Sequence, residues 1–595
     1  MKKKVSDFIA DFFVNNGISD VFTVVGGGAM HLNDSLGHKP GLRCTYNHHE
    51  QASAIAAEAY YRVNNKMATV CVTSGPGAIN ALNGVAGAYM DSIPMLVISG
   101  QCKLELTIKR SGLNLRTLGN QEFDIISALD KMTKYAVMIE NPNDIAWILE
   151  KAFFTALSDR PGPCWIDIPL NIQGAIIETD ELEHYKSLKV VKEEPAAEGI
   201  DFVVNKIFEA ERPVIYAGNG INIADGRKEL LKVAEKYDIP IVTCWDSIDL
   251  INTDSEYYAG RGGIMGDRSG NFAVQNSDLV IAIGNRLNIY QVGYDVSTWA
   301  RSAYVIAVDA DSEELKKKTA RIDKGICCDA KLFMQALLSK NLGQLCSFDL
   351  WKNQCSKWKN NYPVLQNRMK ENADKVNVYN FIDSLSRNLK SNAITVVGNG
   401  SASVVGSQTY YIGNNQRFIM NCALSSMGYD LPAAIGASRA ASEDIICIAG
   451  DGSIMMNLQE LQTIVTNNLN IKVFIINNEG YHQIRLTQMN MFNADYVGIG
   501  PQSGDVGFPD FKKLADAFGL SYYKLSDNGT VSEGIKQVLK KSGPFICEVV
   551  CDTVQVFEPK SSAKRLDDGR IISPPLEDLA PFLSREELKS NMYID

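Results

Sequence analysis

One stretch constrains this chain more than any other: IICIAGDGSIMMNLQELQTIVTNNLNIKVFIINNEGY, from Ile445 to Tyr481. Gly450-Asp451-Gly452 closes one short apolar run and Asn477-Asn478 closes the next, with 24 residues, 453–476, between them. IICIAG reads as a buried strand, Ile454, Leu458, Leu461 and Ile464 recur at helical spacing, and IKVFIIN reads as a second strand. The interval therefore holds one helix, a turn and a returning strand. A parallel strand-helix-strand unit brings both strand ends to the same sheet edge. Asp451 and Asn478 are thus expected to meet at the carboxyl edge, where open α/β sheets bind ligands.

One carboxylate and one amide oxygen make a weak cage by themselves. They suit Mg²⁺, which prefers near-octahedral oxygen ligation and completes its shell with phosphate oxygens and water. Gly450 and Gly452 let the backbone come close, and a helix starting near Ser453 would present free N–H groups and a positive dipole end to an anion. The pattern predicts a diphosphate held through a divalent metal. For Gly-Asp-Gly alone, a sheet-edge turn with an acidic N-cap is the competing reading; the Asn-Asn at this distance argues against it.

The same style recurs along the chain. VFTVVGGG, MATVCVTSGPG, PMLVISGQ and CWIDIPL before residue 170, then RPVIYAGNG, IPIVTCWDS, SDLVIAIGN and AYVIAVDAD, then AITVVGNGSAS, RFIMNCALSSMG, DIICIAGDGS, IKVFIINNEG and PFICEVVCD read as buried strands running into turns. Strands alternating with helical segments imply parallel sheets covered on both faces. The expected architecture is α/β, with three doubly wound parallel-sheet domains at 1–175, 196–340 and 375–560 and a tail at 561–595. ETDELEHYKSLKVVKEEPAAEG is a linker candidate, and a second polar, helix-prone stretch runs from Gln344 to Asp374.

Composition narrows the function classes. A chain of 595 residues, 45% apolar and 22% charged, supports several cores. Its net charge of −10 argues against general phosphate attraction to nucleic acid and against an anionic membrane surface. No run reaches the roughly 20 apolar residues of a spanning helix, and MKKKVSDFIADFFVNNG reads as an amphipathic first helix, not a signal peptide. The 13 cysteines are scattered with no C-x-x-C, so a reducing cytoplasmic setting without disulfides or zinc is expected.

Gly450-Asp451-Gly452, the 24-residue interval and Asn477-Asn478 resemble the signature of thiamine diphosphate enzymes. HHEQASAIAAEAYYR, TSGPGAINALNGVAGAYMDSIPMLVISGQ, RPGPCWIDIPLNIQ, SSMGYDLPAAIGAS and the tail DDGRIISPPLEDLAPFL extend the resemblance, over nearly the whole chain, to the acetolactate synthase-like branch. The resemblance implies pyrimidine-binding, central and diphosphate-binding domains, and a homo-oligomer, at least a dimer, in which two chains build each active site. It implies that Glu50 is the carboxyl group that pushes the cofactor's aminopyrimidine to its imino form. That role calls for a poorly solvated acid. The small-residue helix after Glu50, QASAIAAEAYY, suits close packing at the dimer interface. Gln121 is placed near the reacting carbon, and His482 is a third candidate catalytic residue. Asp451, Asn478 and a backbone oxygen near Gly480 are placed on Mg²⁺. Thiamine diphosphate contacts are implied at Gly27, Thr73, Gly75, Asn80, Gly400, Ser401, Gly450, Gly452, Ser453 and Tyr481, with Met427 as the apolar wedge beneath the cofactor.

Departures from acetolactate synthases matter for substrate. Asn120 stands where an aromatic residue is expected, and Ser401-Ala402-Ser403 replaces a Gln-His-Gln run. Tyr481, His482, Gln483 and Arg485 occupy a more apolar stretch of the family. A polar pocket favours hydroxylated substrates, because unpaired buried polar groups are costly. The implied reaction is decarboxylation of a 2-keto acid, pyruvate above all, with transfer of the two-carbon acyl-anion equivalent to a carbonyl acceptor. Alternatives are branching of a nucleotide-linked keto sugar, simple decarboxylation, and a flavin-linked pyruvate oxidase. FAD in the central domain, touched by Gly263 and Arg286, and a cofactor-free scaffold both remain open, since GNRLNIYQVG lacks the acidic pair that usually follows the arginine.

Overall fold

Three six-stranded parallel sheets succeed one another along the chain. The computed structural model describes residues 1–186, 189–343, 346–565 and 571–594. The first sheet holds β1 (Asp20–Thr23), β2 (Arg43–Tyr46), β3 (Thr69–Val72), β4 (Leu96–Gln101), β5 (Tyr135–Met138) and β6 (Cys164–Pro169), in the order β2-β1-β3-β4-β6-β5. The second holds β7 (Pro213–Ala217), β8 (Ile241–Thr243), β9 (Tyr258–Arg261), β10 (Leu279–Ile283), β11 (Tyr304–Asp309) and β12 (Lys324–Cys327), in the order β9-β8-β7-β10-β11-β12. The third holds β13 (Ile394–Val397), β14 (Arg417–Ile419), β15 (Ile445–Gly450), β16 (Ile471–Asn477), β17 (Ser521–Leu525) and β18 (Phe545–Val550), in the order β14-β13-β15-β16-β18-β17.

The first and third sheets thus share one strand order and the middle sheet has another. The middle order reverses once and the other two reverse again at one edge, where β5 lies outside β6 and β17 outside β18; a crevice opens at the carboxyl ends of the strands flanking the first reversal. In the first and third sheets these strands are β1/β3 and β13/β15; in the middle sheet they are β7/β10. The central strands are largely apolar, as sheets covered on both faces require, and β3, β4, β6, β7 and β10 bury every residue.

The first and third domains pack directly on each other. Helix α1 (Glu50–Asn64) lies between α2 (Pro76–Met90) and α3 (Asp430–Ala440). A Cβ on Gly84 would stand 2.5 Å from the Ala54 Cβ, and one on Gly436 would stand 2.0 Å from the Ala56 carbonyl oxygen. The small residues after Glu50, expected to serve a dimer interface, are therefore used for close helix packing within one chain.

A second departure concerns the helix expected from Ser453. The chain makes a 3-10 turn at Ile454–Met456, and α4 begins at Glu460 and runs to Thr466. Ser453 and Asn457 spend their side chains elsewhere: Ser453 Oγ donates to Asp430 Oδ2 at 2.6 Å and Asn457 Nδ2 to the Gly428 carbonyl at 2.8 Å. Short polar side chains that bond outside the turn favour such breaks.

A strand at Ile176–Glu178 that pairs antiparallel with Lys2–Lys4 runs into the linker candidate, within which His184 Nδ1 bonds Glu150 at 2.6 Å and a helix starts at Ala197. Ser187 and Leu188 lie outside the described residues, as does Gln344; the later polar stretch contains a helix at Asp349–Asn361. Of the tail motif, residues 567–570 lie outside the described residues. Its remainder packs on the middle domain, where Arg268 Nη1 donates to the Leu579 carbonyl at 3.1 Å and Gln275 Nε2 to Glu577 Oε2 at 2.5 Å.

Candidate functional site

The reversal between β13 and β15 in the third sheet holds a cavity of about 320 Å³. Its walls come from the loop after β13 (Asn399, Gly400, Ser401), the loop after β15 (Gly450 to Ser453), and the segment after β16 from Asn478 to Ile484, with Met427 on one side. The spacing argument holds in its essentials: β15 and β16 are parallel neighbours, Gly450 pairs with Ile476, and Asp451 and Asn478 sit at adjacent strand tips.

Asp451 is buried, and both its oxygens accept backbone amides at 2.8 Å, Oδ1 from Gly452 and Oδ2 from Gly480. Burial pushes its carboxyl up to about 7, as expected for a charge removed from water before any counter-ion arrives. Asn478 is buried and donates Nδ2 to Ser401 Oγ at 3.2 Å, leaving its side-chain oxygen Oδ1 without a donor among the described residues. The Gly480 carbonyl likewise accepts no hydrogen bond there. No group of three or more His, Cys, Asp or Glu side chains that could hold a metal occurs among the described residues. A cation here would therefore draw on one carboxylate, an amide and a backbone oxygen, and take the rest of its shell from a ligand and water, the donor set that suits Mg²⁺.

Two glycines make an open cradle. A Cβ on Gly400, at φ +78°, would meet nothing within 4 Å, and one on Gly450 would meet only the Ser453 Cβ at 4.0 Å. Gly452 has a different reason to be glycine, since a Cβ there would lie 2.4 Å from the Tyr481 ring. An anionic, phosphate-sized group fits the space at Gly400 and Gly450 beside the Asp451–Asn478 oxygens.

His482 opens α5 (His482–Met491) and lines the cavity. Its Nε2 lies 2.6 Å from the Gln555 carbonyl. A carbonyl only accepts, so Nε2 carries the proton and Nδ1 presents a lone pair, buried without a partner. Burial pushes the imidazole pKa down, and Arg485 pushes the same way. Tyr481 and Gln483 also line the cavity, but Arg485, expected to add to its polarity, does not. It turns inward to the backbone, donating to the carbonyls of Asn478 at 2.8 Å, Glu479 at 2.5 Å and Thr553 at 3.4 Å.

A second constellation gathers at the matching reversal of the first sheet. Glu50 is buried at the start of α1, where His49 Nδ1 caps the helix by accepting from the Gln51 amide. Asn80 Nδ2 donates to Glu50 Oε2 at 3.0 Å. The Gly28 amide donates to Thr73 Oγ1 at 3.1 Å, and a Cβ on Gly27 would meet nothing within 4 Å. A Cβ on Gly75 would stand 2.4 Å from the Gln121 carbonyl oxygen, so Gln121, itself exposed at φ +54°, is seated on that turn. None of these residues lines the third-domain cavity, so one chain carries two separate clusters.

Sequence reasoning missed the supports of both. Buried Glu122 accepts the amides of Leu118 at 2.8 Å and Gly119 at 3.1 Å, and so folds the loop that presents Gln121. Asp91 accepts from Arg62 at 2.7 Å and from the amides of Cys422 at 2.8 Å and Ala423 at 3.0 Å, fixing the approach to Met427. Glu460 accepts from Asn47 Nδ2 and the His48 amide, both at 2.9 Å, just before Glu50. All act across loops or domains, and no local pattern marks them.

Comparison with known proteins agrees with this geometry. Three models of the thiamine pyrophosphate enzymes match in series: the N-terminal binding domain at 3–126, the central domain at 200–337 and the C-terminal binding domain at 398–549. A chloroplastic acetolactate synthase of Arabidopsis thaliana is 30% identical over 565 residues, covering 92% of this chain and 81% of that protein. The chain belongs to the thiamine pyrophosphate enzyme family. Acetolactate synthase 1 of Zea mays is 30% identical over 564 residues (92% of this chain, 85% of that protein), and a probable acetolactate synthase 2 of Oryza sativa subsp. japonica is 30% identical over 572 residues (92% and 83%). This thiamine pyrophosphate enzyme is therefore acetolactate synthase-like, with acyl-transferring carboligase chemistry.

The middle domain of the thiamine pyrophosphate enzyme bears on FAD. The crevice between β7 and β10 encloses about 110 Å³, against about 300–1,000 Å³ for typical ligand pockets. A Cβ on Gly263 would stand 2.1 Å from the Tyr290 carbonyl oxygen, and Arg286 is engaged with Glu314 at 3.2 Å and the Met90 carbonyl at 2.9 Å. Arg286 lines this crevice and Gly263 does not.

Proposed function

We propose that this enzyme uses thiamine diphosphate and Mg²⁺ to decarboxylate a 2-keto acid, pyruvate above all, and passes the two-carbon unit to a second carbonyl compound. The reading is carried by the third-domain cavity, where Asp451, Asn478 and Gly480 converge beside the open cradle of Gly400 and Gly450. The cofactor, when bound, supplies a stabilised carbanion that takes up the keto carbon. Asp451, Asn478 and the Gly480 carbonyl hold the metal. Ser401, Gly450, Gly452, Ser453 and Tyr481 surround the diphosphate, and Met427 packs beneath the rings. Glu50 holds a proton at the pyrimidine nitrogen, with Asn80 orienting its carboxyl group. Gly27, Thr73 and Gly75 shape the pyrimidine end, and Gln121 and His482 face the substrate.

The separation of the two clusters supports a homodimer built of half-sites, in which Glu50 of one copy completes the cavity of the other. Val25, Ile79, Leu113 and Leu118 near the first half-site, and Met455, Met456 and Ile484 near the second, are exposed apolar side chains that a second copy would cover.

For the acceptor, the polar wall formed by Ser401, Tyr481 and Gln483 favours a hydroxylated keto compound such as a nucleotide-linked keto sugar over a second pyruvate. We read the middle domain as a scaffold; absorbance near 450 nm in the purified enzyme would restore the flavin alternatives. Calorimetry of thiamine diphosphate uptake with and without Mg²⁺ tests the cofactor. Mass spectrometry of products from labelled pyruvate, with and without keto sugars, tests the acceptor. Acetaldehyde as sole product would mean simple decarboxylation, and oxygen consumption with pyruvate would mean an oxidase.

A further inference from the structure

We propose that Arg485 is a positioning residue for the metal loop, fixing residues 478–480 so that the site prefers Mg²⁺ over larger divalent cations. The inference rests on the metal reading given under Proposed function and concerns a residue that makes no contact with the cavity.

Arg485 lies on α5, 2% exposed, directly behind the loop. Nη1 donates to the Asn478 carbonyl at 2.8 Å and Nη2 to the Glu479 carbonyl at 2.5 Å. A guanidinium holds its nitrogens in one rigid plane, so two consecutive peptide units are fixed together. On the other side, the Gly480 amide donates to Asp451 Oδ2. Of the three successive carbonyls, only that of Gly480 accepts no hydrogen bond among the described residues. Arg485 thus takes the two oxygens that would compete and leaves one for the cation.

The conformation held in this way is costly. Glu479 sits at φ +59°, a left-handed conformation that a residue with a side chain keeps only where the surroundings over-determine it. The buried guanidinium also carries an Nε without a partner, a further cost. Filling space alone would not call for a buried cation; a fork that clamps adjacent carbonyls does. Mg²⁺ demands near-ideal octahedral geometry, whereas Ca²⁺ tolerates flexible shells. Loosening the clamp should therefore weaken Mg²⁺ more than Ca²⁺.

The test is calorimetric titration of thiamine diphosphate into the full-length wild type, Arg485→Met and Arg485→Lys at graded Mg²⁺ or Ca²⁺, with folding checked by circular dichroism. For Arg485→Met the half-saturating Mg²⁺ concentration should rise about tenfold or more and that for Ca²⁺ distinctly less. Arg485→Lys keeps the charge but has one nitrogen for two carbonyls, and should show a smaller shift of the same kind. It carries the test if Arg485→Met does not fold. Unchanged midpoints in a folded variant, or equal shifts for both ions, overturn the inference. Absence of uptake by the wild type would instead overturn the cofactor reading beneath it.

Discussion

The amide of Gly480 donates to Asp451 Oδ2 at 2.8 Å, tying the loop beyond β16 to the carboxylate at the tip of β15. That bond requires a backbone bend that a side chain would obstruct. Gly480 sits at φ +124°, and a Cβ there would lie 1.8 Å from the Ile499 carbonyl oxygen. Gly480→Ala must displace either this loop or the segment at Ile499. We expect destabilisation of about 1–3 kcal/mol from backbone strain alone, together with loss of Mg²⁺-dependent cofactor uptake. Chemical denaturation and calorimetry check the two parts; a variant with wild-type uptake would show that the bend at Gly480 does not shape the metal site.

Asp91 joins two domains through a buried network. It accepts from Arg62, Asn421 and the amides of Cys422 and Ala423, while Arg62 also bonds Glu58 and Tyr429 donates to Glu58 Oε2 at 2.6 Å. Removal of Asp91 leaves Arg62 paired with Glu58 but strips the buried amides of Cys422 and Ala423 of their acceptor, at a cost of about 1–3 kcal/mol each. Asp91→Ala should lose stability on that scale in urea unfolding, whereas a surface control such as Asp130→Ala should change it little. A near-neutral Asp91→Ala would mean that water replaces the carboxylate.

What could be read in advance follows from where apolar runs occur. Interior strands such as β4, β10 and β15 are continuous and self-evident. Five edge strands, β2, β5, β9, β12 and β17, were not visible: RCTY, YAVM, YAGR, KGIC and SYYKL are short or interrupted by polar residues or glycine. A strand paired on one side only is under less pressure to be apolar. At the site, Asp451 and Asn478 were legible because one local unit fixes their separation. Glu50, Gln121 and Met427 came from resemblance alone. Arg485 was visible as a charge but not as a buried clamp, because the carbonyls it holds come from a turn that only the fold creates.

Asp167 gives a pH signature independent of the cofactor. It is fully buried between Ser99 Oγ, donating at 2.5 Å, and Gln101 Nε2, donating at 3.1 Å, and burial pushes its carboxyl up to about 7. Unfolded, it titrates near 4. Between these values the folded chain holds the proton and the unfolded chain does not. The contribution to stability is therefore full below about pH 4 and is lost as pH rises to about 7, at up to about 1.4 kcal/mol per pH unit. Asp167→Asn should lack this slope, so that the difference between the two stability–pH curves carries it. Parallel curves from pH 5 to 7 would show that Asp167 ionises normally.

The two half-sites make the strongest prediction. Glu50→Gln should fold and bind cofactor but nearly abolish turnover, since the amide cannot hold the ring proton as a carboxyl group does. Asp451→Ala should fold and fail to take up cofactor with Mg²⁺. If each active site combines Glu50 of one copy with Asp451 of the other, a mixed dimer of the two variants has one doubly damaged site and one intact site. Random reassortment makes half the dimers mixed, so the two inactive preparations together should recover about a quarter of wild-type activity by the symmetry of a two-fold interface. Product formation before and after unfolding and co-refolding measures it. If Glu50 instead served the cavity of its own chain, every site in every dimer would carry one lesion, and the mixture would stay as inactive as its parents.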